Sequence, residues 1–246
     1  MEGIIKTALV NVYRFPLEST EMVTQVLFAT AVIILDEKKG WSKIKIPVQQ
    51  NYCGWIKKKY ISKRKPPASY YKKIIVWKHL TALKDEPREN SKTILKLPLN
   101  TRLLVLDKRG DWLAVWMPDG GKTWLNDQEQ RGARGPGSEL CSCSSSNHGD
   151  PGLDSYPPFD GTVTQGRMDD PGNKSTGHKI LSLARTFLGV PYLWGGITPE
   201  GFDCSGFVYT LYAMHGYVLH RDADLQYGKD GQFVGTNEIY PGDLLY

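Results

Sequence analysis

The sequence has few cysteines and histidines, and this scarcity excludes several kinds of structure. The 246-residue chain contains four cysteines and five histidines. Cys53, Cys141, Cys143 and Cys204 are not spaced like the cysteines of a disulfide framework. The Cys141-Ser142-Cys143 pair lacks the two-residue spacer and the second pair that a zinc site requires. We therefore expect neither a disulfide-stapled fold nor a metal site.

Long apolar runs and a secretory leader are also lacking. No stretch approaches the roughly 18 apolar residues of a membrane span. The first residues, Met1 to Lys6, do not combine a charged segment with an apolar run, so no secretory signal is evident. The sequence predicts a cytoplasmic protein without a membrane span. A secreted or cell-wall-associated location would follow if the N-terminus were incomplete.

The positive charge is modest and concentrated in one region. The formal net charge is +5, and residues 57–59, 63–65 and 72–73 form one basic stretch. Such a stretch is either a solvated face and linker, which we favour, or a contact for an anionic partner such as an acidic wall polymer. Nucleic acid is the weakest partner class, and it predicts an affinity that falls steeply with salt. We expect no nucleic-acid partner.

An internal repeat in the first half predicts two copies of one small domain. Each copy has short β-branched runs between charged turns, and residues 42–46 alternate polar with apolar side chains as a half-buried strand does. We assign residues 1–66 and 70–128 to two small all-β barrels. The segments that align without a gap are Val32–Asp36 with Leu103–Asp107, Trp41 with Trp112, and Pro47 with Pro118.

The repeat resembles bacterial SH3-like domains in the tryptophans of its last strands. Trp41 and Trp112 follow the charged turns, and Trp55 and Trp124 lie in the closing strands. We expect these tryptophans to pack in or at the ends of the barrels rather than to contact a ligand.

Residues 129–176 differ in character from the barrels. They are rich in glycine, proline and serine and show almost no apolar periodicity. This composition is typical of turns and coil. We predict a flexible linker here.

Beyond the linker, the sequence predicts two helices and a reactive cysteine. Apolar residues recur at helical spacing between Ile180 and Leu188, and a second helix is expected to begin near Cys204 and to stop at Gly216. Asp203 would cap that helix. A cysteine at a helix N-terminus is favoured as thiolate, and the nearby N–H groups can bind an oxyanion. The alternative is that Cys204 is simply a small buried residue at a helix start.

Four motifs make the resemblance of this region specific. They are Pro191–Gly196, Gly201–Phe207, Arg221-Asp222 and Pro241–Leu244. In this combination and order they resemble the NlpC/P60 family of papain-like cysteine peptidases. The resemblance implies a partial α+β domain over residues 177–246 that needs no cofactor. With two SH3-like domains in front, it implies in particular an endopeptidase that cleaves the γ-D-glutamyl-diamino acid bond of murein stem peptides.

The resemblance also implies roles for individual residues. Cys204 would be the nucleophile, and Asp222 would bind the free α-amine of the N-terminal L-alanine. The alternative for Asp222 is a loop salt bridge with Arg221. The first SH3-like domain would narrow the site with an acidic residue, Glu18 or Glu21, and with Tyr52. The remaining substrate-binding candidates are Tyr192, Asp203 and Ser205.

A general base is lacking where the family would have one. The resemblance implies a histidine after the Pro241–Leu244 motif, but only Leu245 and Tyr246 follow. His215 would lie about 16 Å along the helix from Cys204, too far to serve, and His220 is expected at the rim, facing solvent or substrate. We therefore expect this chain to be inactive or nearly so. The alternative is a non-catalytic protein that binds peptidoglycan or a peptide. We expect a monomer.

Overall fold

The computed structural model describes residues 1–133 and 174–246. Most of the predicted linker, including Cys141 and Cys143, lies outside the described residues. Its two ends are helical, which contradicts a flexible connection there: helix α1 spans Asp127–Ala133 and helix α2 spans Lys174–Arg185. The buried Gln130 explains why α1 is ordered. Its side chain accepts from the Trp77 backbone N–H at 3.0 Å and donates to Thr81 at 2.8 Å, which holds the helix against the preceding strands.

The first barrel is a seven-stranded antiparallel sheet in the order β3-β2-β6-β5-β4-β1-β7. Valine and isoleucine side chains on the inner faces of these strands form its core. Short 3₁₀ turns at Pro47–Gln49 and Lys58–Tyr60 flank its sixth strand. The strands are β1 (Glu2–Ile5), β2 (Leu9–Tyr13), β3 (Met22–Leu27), β4 (Ala31–Lys38), β5 (Trp41–Ile46), β6 (Tyr52–Lys57) and β7 (Ile61–Ser62).

The second barrel repeats this plan with six strands in the order β10-β9-β13-β12-β11-β8. Strands β2, β3 and β4 each recur at one constant offset as β9, β10 and β11, and even the bulge in the β4–β5 pairing recurs between β11 and β12. The internal repeat is thus a structural repeat. The strands are β8 (Lys72–Ile75), β9 (Leu80–Lys84), β10 (Thr93–Pro98), β11 (Arg102–Arg109), β12 (Trp112–Trp116) and β13 (Lys122–Asn126).

The two barrels are packed against each other. Phe28, in the turn after β3, is 1% exposed and joins the apolar core of the second barrel. The Ser62 hydroxyl donates to the Pro118 carbonyl oxygen at 2.5 Å. Trp55 and Trp124 are 7% and 4% exposed, in line with the packing role that the sequence predicts for them.

The cysteine-bearing region is a small α+β unit. After α2 come the hairpin strands β14 (Ile197–Thr198) and β15 (Gly201–Phe202), then α3 (Cys204–Met214), α4 (Ala223–Lys229) and a 3₁₀ turn at Thr236–Glu238. Helix α3 begins at Cys204, and Gly216 beyond its end has a φ of +89°, as the sequence predicts for a helix stop.

Helix α2 departs from the prediction at its C-terminal end. It ends at Arg185, and the residues up to Gly189 form turns rather than helix. Phe187 is buried in this turn, whereas Leu188 is 85% exposed. The prediction from apolar spacing therefore extends the helix past Arg185, the last residue whose backbone is helical.

Both barrels pack on this unit. The fold class predicted from the sequence is confirmed, since two all-β barrels precede a small α+β region. Leu27 of the first barrel contacts Ile197 and Tyr209 of the unit in one cluster. Trp77 and Leu99 of the second barrel contact another side of it. Within the described ranges, no helix is long and apolar enough to span a membrane.

Candidate active site

Cys204 is solvent-exposed and is the first residue of α3. The turn that leads to it is tight. Asp203 caps the helix, its Oδ1 accepting from the Gly206 backbone N–H at 2.6 Å. A Cβ on Gly206 would lie 2.1 Å from the Gly196 carbonyl oxygen, so only glycine fits there. The chain thus presents the Cys204 thiol to solvent at the positive end of a helix dipole.

Asp203 is committed to contacts within the protein. Its side chain is 10% exposed, and it pairs with Arg221, whose Nη2 lies 2.6 Å from Oδ2. Oδ2 also accepts from the Gly195 backbone N–H at 2.8 Å. The carboxylate of Asp203 holds the turn, since both of its oxygens accept hydrogen bonds inside the fold. The substrate-binding role that the resemblance implies for Asp203 stays a prediction.

Arg221 is the residue that sequence reasoning missed. It is 1% exposed, and its guanidinium donates to Asp203, to the Ser205 hydroxyl at 3.0 Å and to the Thr24 hydroxyl at 2.9 Å. A buried charge needs such partners. The Arg221-Asp222 motif contained the signal, but the sequence offered no way to see that the arginine points inward.

Ser205 is buried as well, at 6% exposure. Its hydroxyl accepts from Arg221, and its carbonyl oxygen accepts from the Gln226 side chain at 3.0 Å. Both groups thus have partners within the fold, and a contact of Ser205 with substrate stays a prediction.

Tyr192 lies beside the cysteine, as the resemblance implies. It is 64% exposed, and its backbone pairs with Phe202 just before the nucleophile turn. Desolvation and the charge of the Cys204 thiolate raise the pKa of Tyr192. The phenol therefore stands close enough to the sulfur to feel its charge.

Tyr52 of β6 and Asp222, the residue before α4, are brought together. The Tyr52 hydroxyl donates to the Asp222 carboxylate. Burial raises the pKa of Asp222, and the Tyr52 hydrogen bond and the Arg221 charge oppose that rise. Burial and the neighbouring carboxylate raise the pKa of Tyr52 to about 12. The alternative of a salt bridge between Asp222 and Arg221 is not what forms, since Arg221 pairs with Asp203.

The two acidic candidates of the first barrel, Glu18 and Glu21, have different partners. Glu21 accepts from the Trp194 indole N–H at 3.0 Å and from Arg14 Nε at 2.5 Å. Glu18 instead pairs with Lys57 at 2.8 Å on the barrel surface. Of the two, Glu21 is the one placed against the Pro191–Gly196 bend that precedes the nucleophile.

The histidines are held by other groups. His215 Nδ1 lies 2.8 Å from the Leu211 carbonyl oxygen, and the ring meets Trp77 edge-on. His220, expected to face solvent or substrate, has a side chain only 18% exposed, with Nδ1 2.5 Å from an Asp230 oxygen. Asp230, just beyond α4, thus holds the ring largely away from solvent, and a position facing substrate stays a prediction.

Tyr246 is a second residue that sequence reasoning did not single out. Its hydroxyl donates to the Gln226 side-chain oxygen at 3.2 Å. Burial raises the pKa of Tyr246 to about 12, and the charges of Asp230 and Cys204 contribute. The charge of Cys204 thus acts on two phenols, those of Tyr192 and Tyr246. The residues with defined positions contain no group of three or more potential metal ligands.

Comparison with known proteins is consistent with this geometry. Residues 189–246 match the NlpC/P60 family, residues 76–130 the YKFC SH3b2 domain, and residues 12–61 the bacterial dipeptidyl-peptidase Sh3 domain. The crystal structure of an NlpC/P60 family protein from Bacillus cereus superposes with a TM-score of 0.66 at 22% identity, covering 98% of this chain and 81% of that one. This likeness shows a shared fold.

Several curated relatives are peptidases. A γ-D-glutamyl-L-lysine dipeptidyl-peptidase from Bacillus cereus is 27% identical over 236 residues, covering 93% of this chain and 60% of the relative. The protein of the same name from Bacillus subtilis is 29% identical over 229 residues, covering 91% and 63%. A γ-DL-glutamyl hydrolase from Bacillus subtilis is 44% identical over 69 residues, which are 27% of this chain and 16% of that protein.

The chain therefore spans about 60% of the length of the two dipeptidyl-peptidases that it matches. Two SH3 matches precede the match to a cysteine-peptidase family, in the order that the fold shows. Residues 189–246 are thus similar to the NlpC/P60 family, and they follow two regions that are similar to bacterial SH3 domains.

Proposed function

We propose that this chain provides the nucleophile and the amine-binding site of a cysteine peptidase for murein stem peptides, which cleaves the γ-D-glutamyl-diamino acid bond behind a free N-terminal L-alanine. The observation that carries this proposal is the exposed Cys204 at the start of α3, with the Tyr52–Asp222 pair in the neighbouring loop region. The names of the matched dipeptidyl-peptidases support the substrate class.

The chemistry is acyl transfer through a thioester. The Cys204 thiolate attacks the γ-carbonyl carbon of D-glutamate, and the C–N bond to the diamino acid breaks. The leaving amine departs with a proton, and the L-Ala-γ-D-Glu acyl group stays on the sulfur until water hydrolyses it. Backbone N–H groups at the start of α3 would stabilise the oxyanion of each tetrahedral intermediate.

Asp222 suits the free α-amine of the substrate. A half-buried carboxylate next to a phenol hydroxyl can pair an ammonium group and donate or accept hydrogen bonds around it. Burial raises the pKa of Asp222 because it disfavours the charged carboxylate, and a cation bound beside it would stabilise that charge. A peptide with a blocked N-terminus would lack that attraction.

The proton transfers need a base, and Nδ1 of both His215 and His220 is directed to a group other than Cys204. His215 and His220 are held by Leu211 and Asp230. General acid–base catalysis contributes about 10²- to 10⁴-fold in such reactions. We propose that the 246-residue chain by itself hydrolyses the peptide slowly or not at all, and that its Cys204 still forms the acyl-enzyme in the presence of an external base.

The decisive experiment compares three proteins on L-Ala-γ-D-Glu-L-Lys and on its N-acetylated form. They are the chain itself, its Cys204→Ala variant, and a chimera that carries the C-terminal segment of the Bacillus cereus relative. We expect the chimera to hydrolyse the free peptide through Cys204 and to reject the acetylated one. We expect Asp222→Asn in the chimera to raise KM with less effect on kcat.

The result that contradicts the proposal is a chimera that is folded but shows neither hydrolysis nor a Cys204 acyl-enzyme by mass spectrometry. If such a chimera still binds the peptide in calorimetry, the non-catalytic binding function replaces the peptidase. The observation that favours this second candidate is that Nδ1 of His215 and Nδ1 of His220 each contact a group other than Cys204.

A further inference from the structure

A chain of buried polar contacts runs from the first barrel to the two residues that flank Cys204. It begins at Thr24 on β3, a residue with no exposed surface. The Thr24 hydroxyl donates to the Gln49 side-chain oxygen at 3.0 Å, and Gln49 in turn donates to the Gln25 carbonyl oxygen at 2.7 Å. Because its hydrogen is directed to Gln49, the hydroxyl oxygen offers a lone pair to a donor on its other side.

That donor is Arg221 Nε, 2.9 Å away and 197 residues later in the chain. The remaining guanidinium nitrogens bind Asp203 and Ser205, the neighbours of Cys204 on either side. The guanidinium is a planar, rigid fork, so fixing Nε also fixes the directions of the other N–H groups. The position of the nucleophile turn therefore depends on where Nε is held.

We infer that Thr24 is a positioning residue for Cys204: through Arg221, the first barrel sets the conformation of the residues on both sides of the nucleophile. This inference rests on the nucleophilic role proposed for Cys204. Without the Thr24 hydroxyl, the buried Nε–H of Arg221 loses its acceptor, and the guanidinium turns toward another acceptor. The contacts to Asp203 and Ser205 then lose their geometry.

The test is the rate at which iodoacetamide alkylates Cys204 between pH 6 and pH 9, resolved by peptide mass spectrometry. Thr24→Val removes the hydroxyl at constant shape. We expect alkylation of Cys204 to slow by about 3- to 10-fold, with a changed pH profile, an effect of the size that the net loss of one ordinary hydrogen bond has. Cys53, which is also exposed, gives an internal reference that should not change.

Thr81→Val is the matched control. Thr81 is equally buried, and its hydroxyl accepts from Gln130 at 2.8 Å, but it lies in the second barrel and supports α1. We expect Thr81→Val to lower the thermal midpoint as Thr24→Val does and to leave the alkylation profile of Cys204 unchanged. A general loss of stability would affect both variants alike.

A second pair of variants decides the matter even if Thr24→Val does not fold. Thr24→Ser and Thr24→Ala differ only in the hydroxyl oxygen, and we expect the serine to react at the native rate and the alanine more slowly. Equal Cys204 profiles for these two overturn the inference. The alkylation reaction needs no peptide, so a folded chimera that neither hydrolyses stem peptides nor forms an acyl-enzyme would overturn the proposed function and leave this result standing on its own.

Discussion

The two barrels share one strand plan but contact the cysteine-bearing unit with different chemistry. Besides the apolar contact of Leu27, the first barrel makes directed polar contacts: Thr24 with Arg221, Gln25 with the Ile197 backbone N–H at 3.1 Å, and the Val48 carbonyl oxygen with the Tyr209 hydroxyl at 2.9 Å. The second barrel makes apolar and aromatic ones. Trp77 meets His215 edge-on, and His79 stacks on Phe187.

This difference matters for the nucleophile, because the polar contacts lead to the residues on either side of it. Hydrogen bonds depend on direction, so a polar interface fixes orientation, whereas apolar burial is non-directional and contributes mainly stability. The barrel whose polar contacts reach Asp203 and Ser205 is the first, and the second lies against Phe187 and Phe202. The same small fold thus serves as a positioning element in one copy and as a packing partner in the other.

The largest effect is expected from Arg221→Met, which removes the central group of the polar interface. It leaves the buried Asp203 carboxylate without a counter-ion, a change that typically costs about 3–5 kcal/mol. Urea denaturation should show this loss, and Cys204 should alkylate more slowly. Arg88→Met is the control, because Arg88 pairs with Glu86 on an exposed surface. A loss as small as that of the control would mean that the polar interface is not what holds the nucleophile turn.

The next effect concerns the apolar interface. Leu99 is fully buried between the second barrel and the cysteine-bearing unit. Leu99→Ala should lower the free energy of unfolding by about 2–5 kcal/mol, as the deletion of buried methyl groups does, and should leave the alkylation rate of Cys204 unchanged below the midpoint. Leu80→Ala, at a 47% exposed position of the same barrel, should have little effect. If Leu99→Ala slows Cys204 as Arg221→Met does, the proposed division between the barrels is wrong.

A smaller effect is expected from pH at the same interface. Burial lowers the pKa of His215, so the folded protein binds a proton there less readily than the unfolded chain does. Stability is therefore fully present above the ordinary histidine pKa of about 6.5 and is lost as the pH falls through the lowered value. Thermal midpoints at pH 7 and pH 5 should converge partly in His215→Gln. The same change at the exposed His178 should leave the pH dependence as it is.

The smallest effect separates the two acidic side chains of the first barrel. Glu21 contacts Trp194, and Glu18 contacts Lys57. In a Cys204→Ala background, Glu21→Ala should weaken stem-peptide binding about 3- to 10-fold by releasing the indole, as the loss of one hydrogen bond to a charged group predicts, and Glu18→Ala should not. Calorimetric titration with L-Ala-γ-D-Glu-L-Lys measures both. Equal affinities of the two variants for the peptide would show that Glu21 does not contribute to the binding site.

Much of the fold could be predicted because its signals are local. The repeat predicted two barrels, and the cap at Asp203 and the stop at Gly216 predicted the bounds of α3. The ends of the linker could not be predicted, because α1 is ordered by the contacts of Gln130 with a distant strand. The helical spacing of Leu188 also failed to predict its exposure, because the backbone of α2 stops being helical at Arg185.

The candidate site was predicted in part. Cys204, Tyr192 and Asp222 lie where the motifs place them, and the choice between Glu18 and Glu21 was open until Trp194 was seen beside one of them. The inward turn of Arg221 and His220 was missed. Each is drawn in by an acidic residue, Asp203 or Asp230, whose proximity no spacing in the sequence indicates.

The sequence by itself determined the repeat, the helix that starts at Cys204 and the residue types available for acyl transfer, because backbone propensity, capping and alternation act within a few residues. Only the tertiary structure decided which barrel supports the nucleophile. That choice depends on a hydrogen bond between Thr24 and Arg221, which lie far apart in the chain and meet only once both domains have folded and packed. Burial makes this hydrogen bond important, because a guanidinium that is shielded from water needs all of its hydrogen-bond partners within the protein.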